Sequence, residues 1–213
     1  MKKAIIMIAF VAFATTSSKA QTTDTTDNRN HLTIGLKAGA NFSNVYDSQG
    51  EDFVAEGKIG FAAGAFLVIP FGKVFGIQPE VLYSQKGFKS TGKFLGTDYS
   101  LTRTTDFIDV PLLVSIKPVE YVSILFGPQF SYLLKQTDKF TAGELNTTQE
   151  QEFNNDDLRK NIFALTGGVD INIDHFVIGL RAGWDVKNNV GSDNSTTPRY
   201  KNAWYQATLG YKF

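Results

Sequence analysis

The chain has 213 residues, 21 of them basic and 21 acidic, with 18 Phe, 8 Tyr, 19 Gly and no cysteine. A charge balance of zero leaves no electrostatic footprint for nucleic acid. The lack of cysteine excludes disulfides, thiol chemistry, cysteine-bound zinc and a cysteine-borne lipid anchor. The aromatic and glycine content is that of a strand-rich chain.

Lys2 and Lys3 precede an apolar run from Ala4 to Ala14, followed by small and polar residues up to Ser18-Lys19-Ala20. This reads as a secretory signal over residues 1–20, cleaved after Ala20 to leave Gln21 as the mature N-terminus. A membrane anchor would need about 20 apolar residues, and this run is far shorter. Residues 21–31, beginning QTTDTTDNRN, read as a disordered polar leader with nothing to build a core from.

From Leu32 the chain alternates. Leu32, Ile34, Leu36, Ala38, Ala40 and Phe42 share one face, and Thr33, Gly35, Lys37, Gly39 and Asn41 the other. The same pattern predicts strands near Ile59 to Ile69, Phe75 to Gln85, Phe107 to Ile116, Val122 to Leu134, Ile162 to Ile173, Phe176 to Val186, and Ala203 to Phe213. Most have about 10 or 11 residues, the length of a tilted strand crossing hydrocarbon. One face is greasy: Ile178, Leu180, Ala182 and Trp184 alternate with Gly179, Arg181, Gly183 and Asp185.

Alternation alone does not say whether the apolar face meets lipid or a core. The connections are more telling. Those at Pro70 to Val74, Lys117 to Tyr121 and Asp174-His175 are short turns, whereas those at Ser43 to Lys58, Lys86 to Asp106, Thr137 to Asn161 and Lys187 to Asn202 are long and polar. Short and long alternate throughout. That predicts an all-β, eight-stranded, antiparallel up-and-down transmembrane barrel over residues 32–213, with periplasmic turns and extracellular loops; Greek-key sandwiches do not sort their loops this way.

The last strand ends on Phe213, with Tyr211, Leu209 and Tyr205 at alternate positions behind it. It resembles the C-terminal signal by which the outer-membrane assembly machinery recognises barrels, which implies that machinery as a partner. The segments GLKAGANFS, GIQPEVLYSQKGFK, FIDVPLLVSIKP, VSILFGPQFSYLL, FVIGLRAGW and ATLGYKF resemble the PorT-like outer-membrane β-barrel family from about Gly35 to Phe213. The most characteristic are Gln78 to Ser84 and Ile108 to Leu113, where a Glu is common in the family at the place of Asp109. The resemblance implies an eight-stranded outer-membrane barrel, and the association of the namesake with protein secretion implies no more than a possible role for this chain.

With the greasy faces toward lipid, Lys37, Gln78, Glu80, Asp109, Gln129, Asp170, Arg181, Asp185, Gln206 and Lys212 point inward. Eight strands enclose an interior just wide enough for side chains, and buried charges need partners. An ion-pair network of Lys37, Glu80, Asp109, Asp170 and Arg181, centred on Glu80 and Arg181, is expected to fill the lumen in a structural role. A proton or ligand site there is the alternative. Counting from the turn end sets Lys37, Glu80 and Arg181 near mid-height, Asp109 higher and Asp170 lower.

Phe42, Tyr83, Tyr132, Trp184 and Tyr205 are expected to form the loop-side aromatic girdle, and Phe71, Phe75, Tyr121, Phe176 and Phe213 the turn-side one. Ring stacking on carbohydrate is conceivable only for the loop residues Tyr46, Phe94, Tyr99 and Phe140.

No catalytic motif occurs. The two histidines, His31 and His175, both fall at the turn end, and Asp156-Asp157 reads as a solvated loop face. Neither an enzyme nor a bound cofactor or metal is expected. The leading expectation is an outer-membrane barrel in contact with lipid, structural or interacting, with a protein partner at the long loops. An accessory barrel of transport or secretion is second. Third is a soluble, exported, lipocalin-like barrel with its apolar face turned inward.

Overall fold

A computed structural model of the chain describes residues 28–46, 55–94, 97–142, 145–152, 160–188 and 200–213. The signal segment with its Ala20 cleavage site, and Asp156-Asp157, lie outside the described residues.

Among the described residues a 3-10 turn, Asn28–Asn30, precedes nine strands: β1 (Thr33–Tyr46), β2 (Glu56–Phe71), β3 (Phe75–Phe94), β4 (Thr97–Val119), β5 (Val122–Ala142), β6 (Leu145–Glu152), β7 (Asn161–Ile173), β8 (Phe176–Asp185) and β9 (Lys201–Lys212). Eight of them close a ring in the order β1-β2-β3-β4-β5-β7-β8-β9 and back to β1, every pair antiparallel. β6 lies outside the ring and pairs with β5 above the level at which β7 does.

The tight turns are where the sequence places them. Gly72, at φ 85°, opens the β2–β3 turn, and Asp174, at φ 50°, the β7–β8 turn; the first needs the freedom of glycine, and the second uses the tolerance of Asp for that conformation.

The long loops differ from expectation. Lys86 to Asp106 is largely strand, carrying β3 and β4 to 20 and 23 residues, and much of Thr137 to Asn161 is the upper part of β5 together with β6. Together these stretches form a four-stranded sheet that stands above one side of the ring. The stretch is rich in Thr, Ser, Lys and Gln, which pair as strands when a neighbour supplies the ladder. Above a bilayer no apolar phase imposes the hydrophobic alternation that marks a strand in a sequence.

Burial alternates as the ring requires. Leu36, Phe42, Leu112, Phe126, Phe130, Leu180, Tyr205 and Leu209 point outward and are exposed, while Lys37, Asn41, Glu80, Ser84, Asp109, Gln129, Asp170 and Arg181 are buried inside. The soluble, lipocalin-like alternative needs the reverse orientation, so the burial overturns it. Phe71, Phe75, Tyr121, Phe176 and Phe213 are exposed around the turn end, and Phe42, Tyr132, Trp184 and Tyr205 nearer the loop end, where Tyr83 stacks on Phe61 at 5.2 Å.

Besides register shifts elsewhere in β2–β3 and β4–β5, three ladders have a gap at a proline. The β2–β3 register lacks the pairs Leu67–Pro79 and Val68–Gln78, β3–β4 the pairs Glu80–Pro111 and Val81–Val110, and β4–β5 the pairs Leu112–Pro128 and Leu113–Gly127. Proline has no N–H to give to a ladder. Pro79 faces Leu112, so the three breaks lie at nearly one level across adjacent seams.

Candidate functional site

The interior is built in tiers. At the turn end Phe66, Val68 and Val177 form an apolar floor. Strand parity puts them there: Phe66 and Val68 lie on the inward positions of β2, Val177 on that of β8.

Above the floor sits the first charged tier. Lys37 donates to Glu80, Gln78 Nε2 donates to Glu80 Oε1 at 2.9 Å and to Asp170 Oδ2 at 3.2 Å, and Arg181 Nη1 pairs with Asp170 Oδ1 at 2.7 Å. Arg181 Nη2 stands 3.6 Å from Glu80 Oε1. Four of the five residues expected in the network therefore meet, with Gln78 as the bridge. The tightest contact of Arg181 is with Asp170, its neighbour across the β7–β8 seam, rather than with Glu80. Two cations face two carboxylates, so each charge taken from water has a counter-charge and hydrogen bonds at hand.

The next tier is neutral. Asn41 Nδ2 donates to Ser84 Oγ at 2.9 Å, and Gln206 Nε2 donates to Asn41 Oδ1 at 2.8 Å, tying β9, β1 and β3 together across the lumen. Gln129 donates to Ser131 at 3.1 Å. Lys212 lies low, donating to Asn172 Oδ1 at 3.1 Å.

Asp109 is not part of the first tier. It stands higher, 3.0 Å from Lys86 Nζ, in a pair whose side chains are almost wholly buried. The reason is axial distance: Asp109 faces Leu82 in register, two residues above Glu80 on β3, and its carboxylate reaches upward to the next inward cation.

Lys86 Nζ also sits 3.8 Å from the centre of the Trp204 ring and 5.0 Å from that of Phe107, geometry for a cation–π contact on each. Asp185 accepts from the backbone N–H of Asn202 at 3.0 Å and from its side-chain amide. A Cβ on Gly183 would lie 2.3 Å from the Trp204 ring, so the glycine is what leaves room for the indole.

Lys86 and Trp204 were missed in the sequence because Lys86 begins a stretch read as loop and Trp204 neighbours the outward Tyr205. Parity was the available signal. The inward series Gln78, Glu80, Leu82, Ser84 continues without a break to Lys86 and Phe88.

A cap lies at the loop end of the interior. Val45, Phe88 and Tyr200 pack together, and Arg103 Nη2 meets Asp138 Oδ2 at 2.7 Å beside them, with its guanidinium 5.8 Å from the Phe88 ring. Burial works to lower the pKa of Arg103, but the hydrogen bonds and charges of Asp138 and Tyr200 together outweigh it and hold the guanidinium above its usual range. Burial raises the Tyr200 phenol, against the opposing pull of Arg103. Among the described residues no cluster of His, Cys, Asp and Glu is arranged to hold a metal ion.

A family model described as the outer membrane protein beta-barrel domain matches residues 19–191. The chain belongs to that family. This outer-membrane barrel is also similar to solved structures. One is Ail, the attachment invasion locus protein of Yersinia pestis, with 16% identity over 85% of this chain and 98% of that one, at a TM-score of 0.46. Neisserial surface protein A has 14% identity over 84% and 97%, at 0.48, and OprG from Pseudomonas aeruginosa 13% over 88% and 98%, at 0.42. A comparison with curated proteins returned no match. Membership accounts for the outward apolar faces: they meet outer-membrane lipid.

Proposed function

We propose that this outer-membrane barrel is a non-enzymatic structural and interaction protein whose lumen is filled and whose partners bind at the extracellular end. The observation that carries the reading is the stack of buried tiers, from Phe66 through Arg181 and Asn41 to Lys86 and the Arg103–Asp138 cap. Side chains that fill a small barrel leave its exposed upper sheet as the surface for recognition. In this reading the tiers hold the wall in place, as an apolar core would in a soluble protein.

Export through the signal cleaved after Ala20, and insertion by the assembly machinery reading Tyr205, Leu209, Tyr211 and Phe213, complete the proposal. Support for the second step is that Tyr205, Leu209, Tyr211 and Phe213 all face outward on the closing strand β9. A role as an accessory barrel of secretion is the second reading, favoured by the PorT-like segments at Gln78 to Ser84 and Ile108 to Leu113. Both hold inward charges, Glu80 and Asp109, on which the two charged tiers depend.

The test is single-channel recording of the purified barrel in planar bilayers, beside its gel mobility before and after boiling. A heat-modifiable band with no conductance steps supports the filled barrel. Stable steps in the folded protein refute it.

A further inference from the structure

The outward wall changes chemistry abruptly on one side of the barrel. Above the loop-side girdle, where Phe61 and Tyr83 stack, the outward rows across β3, β4 and β5 read Gln85-Asp106-Lys135, Gly87-Thr104-Thr137 and Lys89-Thr102-Lys139. β2 adds Lys58. Its register partner on β1 is the inward Ser43, but the β2–β3 register slips between Gly57 and Ala62, and such a bulge re-aims a side chain. The Lys58 ammonium thus comes within electrostatic reach of Asp106, Lys89 and Lys139 on the outer face.

Three cations therefore converge. Burial lowers the pKa of Lys58, and the like charges of Lys89 and Lys139 lower it further against the pull of Asp106. Among the described residues none of the three lysines forms an ion pair. Glu56 faces Lys89 in register without pairing to it. The carboxylate in their midst is already engaged: Asp106 accepts from Gln85 Nε2 at 3.0 Å and from the Tyr83 hydroxyl. Gathering like charges costs free energy unless an anion joins them.

Position says what kind of anion. The cluster lies on the lipid-facing side of the wall, above rings that mark the membrane interface, so the anion belongs to a lipid headgroup. Thr102, Thr104 and Thr137 line the space between the lysines with hydroxyl groups, which suit a hydroxyl-bearing ligand. Lys89 is six residues above Tyr83 on β3, about 20 Å along the strand at about 3.3 Å each, higher than a simple glycerol phosphate stands.

We infer that this face holds the phosphorylated sugar headgroup of an outer-leaflet lipid, with Lys58, Lys89 and Lys139 on its phosphates and its acyl chains descending over Phe61 and Tyr83. Long, flexible lysine stems let three ammonium groups reach one headgroup as point charges. The inference rests on the reading that the long strands stand at the extracellular end.

The test uses the full barrel in neutral detergent, its heat-modifiable migration verified first. The probe is an acylated glucosamine disaccharide bearing a phosphate on each sugar, and retained lipid is counted by native mass spectrometry. One copy per barrel is expected, with the phosphate-free form of the same lipid held at least about tenfold more weakly. Each lysine near a charged headgroup is worth about fivefold. Lys58→Gln, Lys89→Gln and Lys139→Gln combined should therefore cut retention well over tenfold, whereas Lys187→Gln with Lys201→Gln, on the β8–β9 side of the loop end, should leave it unchanged.

Acetylation rates give a readout on the parent protein. The probe should slow modification of Lys58, Lys89 and Lys139 and not of Lys73 in the β2–β3 turn. The inference is overturned if the phosphate-free lipid is retained equally, if the Lys187 and Lys201 changes cost as much, or if the acyl-free phosphorylated disaccharide protects the lysines equally well. Orientation is judged separately. The chain has no cysteine, so Thr141→Cys, at an exposed position of β5, can be probed on intact cells with an impermeant maleimide. Labelling without lipid retention overturns this inference alone; no labelling overturns the extracellular placement, and the outer-leaflet lipid with it.

Discussion

At the scale of single residues, the charged tiers make the sharpest demands. Arg181→Met removes the cation that meets both Asp170 and Glu80 and leaves Lys37 to serve two buried carboxylates. Breaking a buried pair from one side costs about 3–5 kcal/mol, so the midpoint of heat-modifiable migration should fall well below that of the parent. Lys86→Met should act similarly by stranding Asp109, while Lys86→Met combined with Asp109→Leu should recover much of the loss, because no uncompensated charge remains. Tyr200 yields a pH prediction. Its folded pKa is raised, so its contribution to the cap is fully present below the free-tyrosine value of about 10 and is lost as pH rises through the folded value. In absorbance titrations, the tyrosinate signal missing from Tyr200→Phe should appear above the free-tyrosine value of about 10. The first tier was largely legible in the sequence, since period two fixes which side chains face inward and counting from a turn fixes their height. The partner of Asp109 was not, because it lies on a part of β3 that carries no apolar alternation.

At the scale of strands, the two segments most characteristic of the resemblance, Gln78 to Ser84 and Ile108 to Leu113, each join an inward carboxylate to a proline that interrupts a ladder. The ionic side of both was readable from parity. The effect of the prolines was not, because which seam a proline opens depends on which neighbour its missing N–H would have served. A backbone group left without its partner inside a bilayer is costly. Pro128→Val restores one donor and adds a β-branched side chain on the outward face, so it should stabilise the barrel by about 1 kcal/mol, read as a higher midpoint. Ring closure and turn placement came through in the sequence because loop lengths and apolar faces carry them. The four-stranded extension did not, since its Thr-rich rows hold together by ladder pairing rather than by burial.

At the scale of the whole molecule, the proposed C-terminal assembly signal predicts that insertion is separable from folding. Phe213 lies outward at the foot of β9, 69% exposed, and contributes nothing to the tiers inside. Phe213→Ser should therefore lower the amount of barrel in the outer membrane of growing cells several-fold while leaving refolding of the purified chain into detergent almost unchanged; an equal loss in both would make Phe213 a folding residue. The three prolines have one more effect, which concerns mechanics. The strands that rise into the upper sheet, β3, β4 and β5, are those whose seams are broken near mid-depth by Pro79, Pro111 and Pro128. The ladders from β5 through β7, β8 and β9 to β1 run without a gap. A sideways load on the tall sheet is thus delivered to the planks least tied to one another, so the mast leans at its step while the rest of the hull keeps its shape.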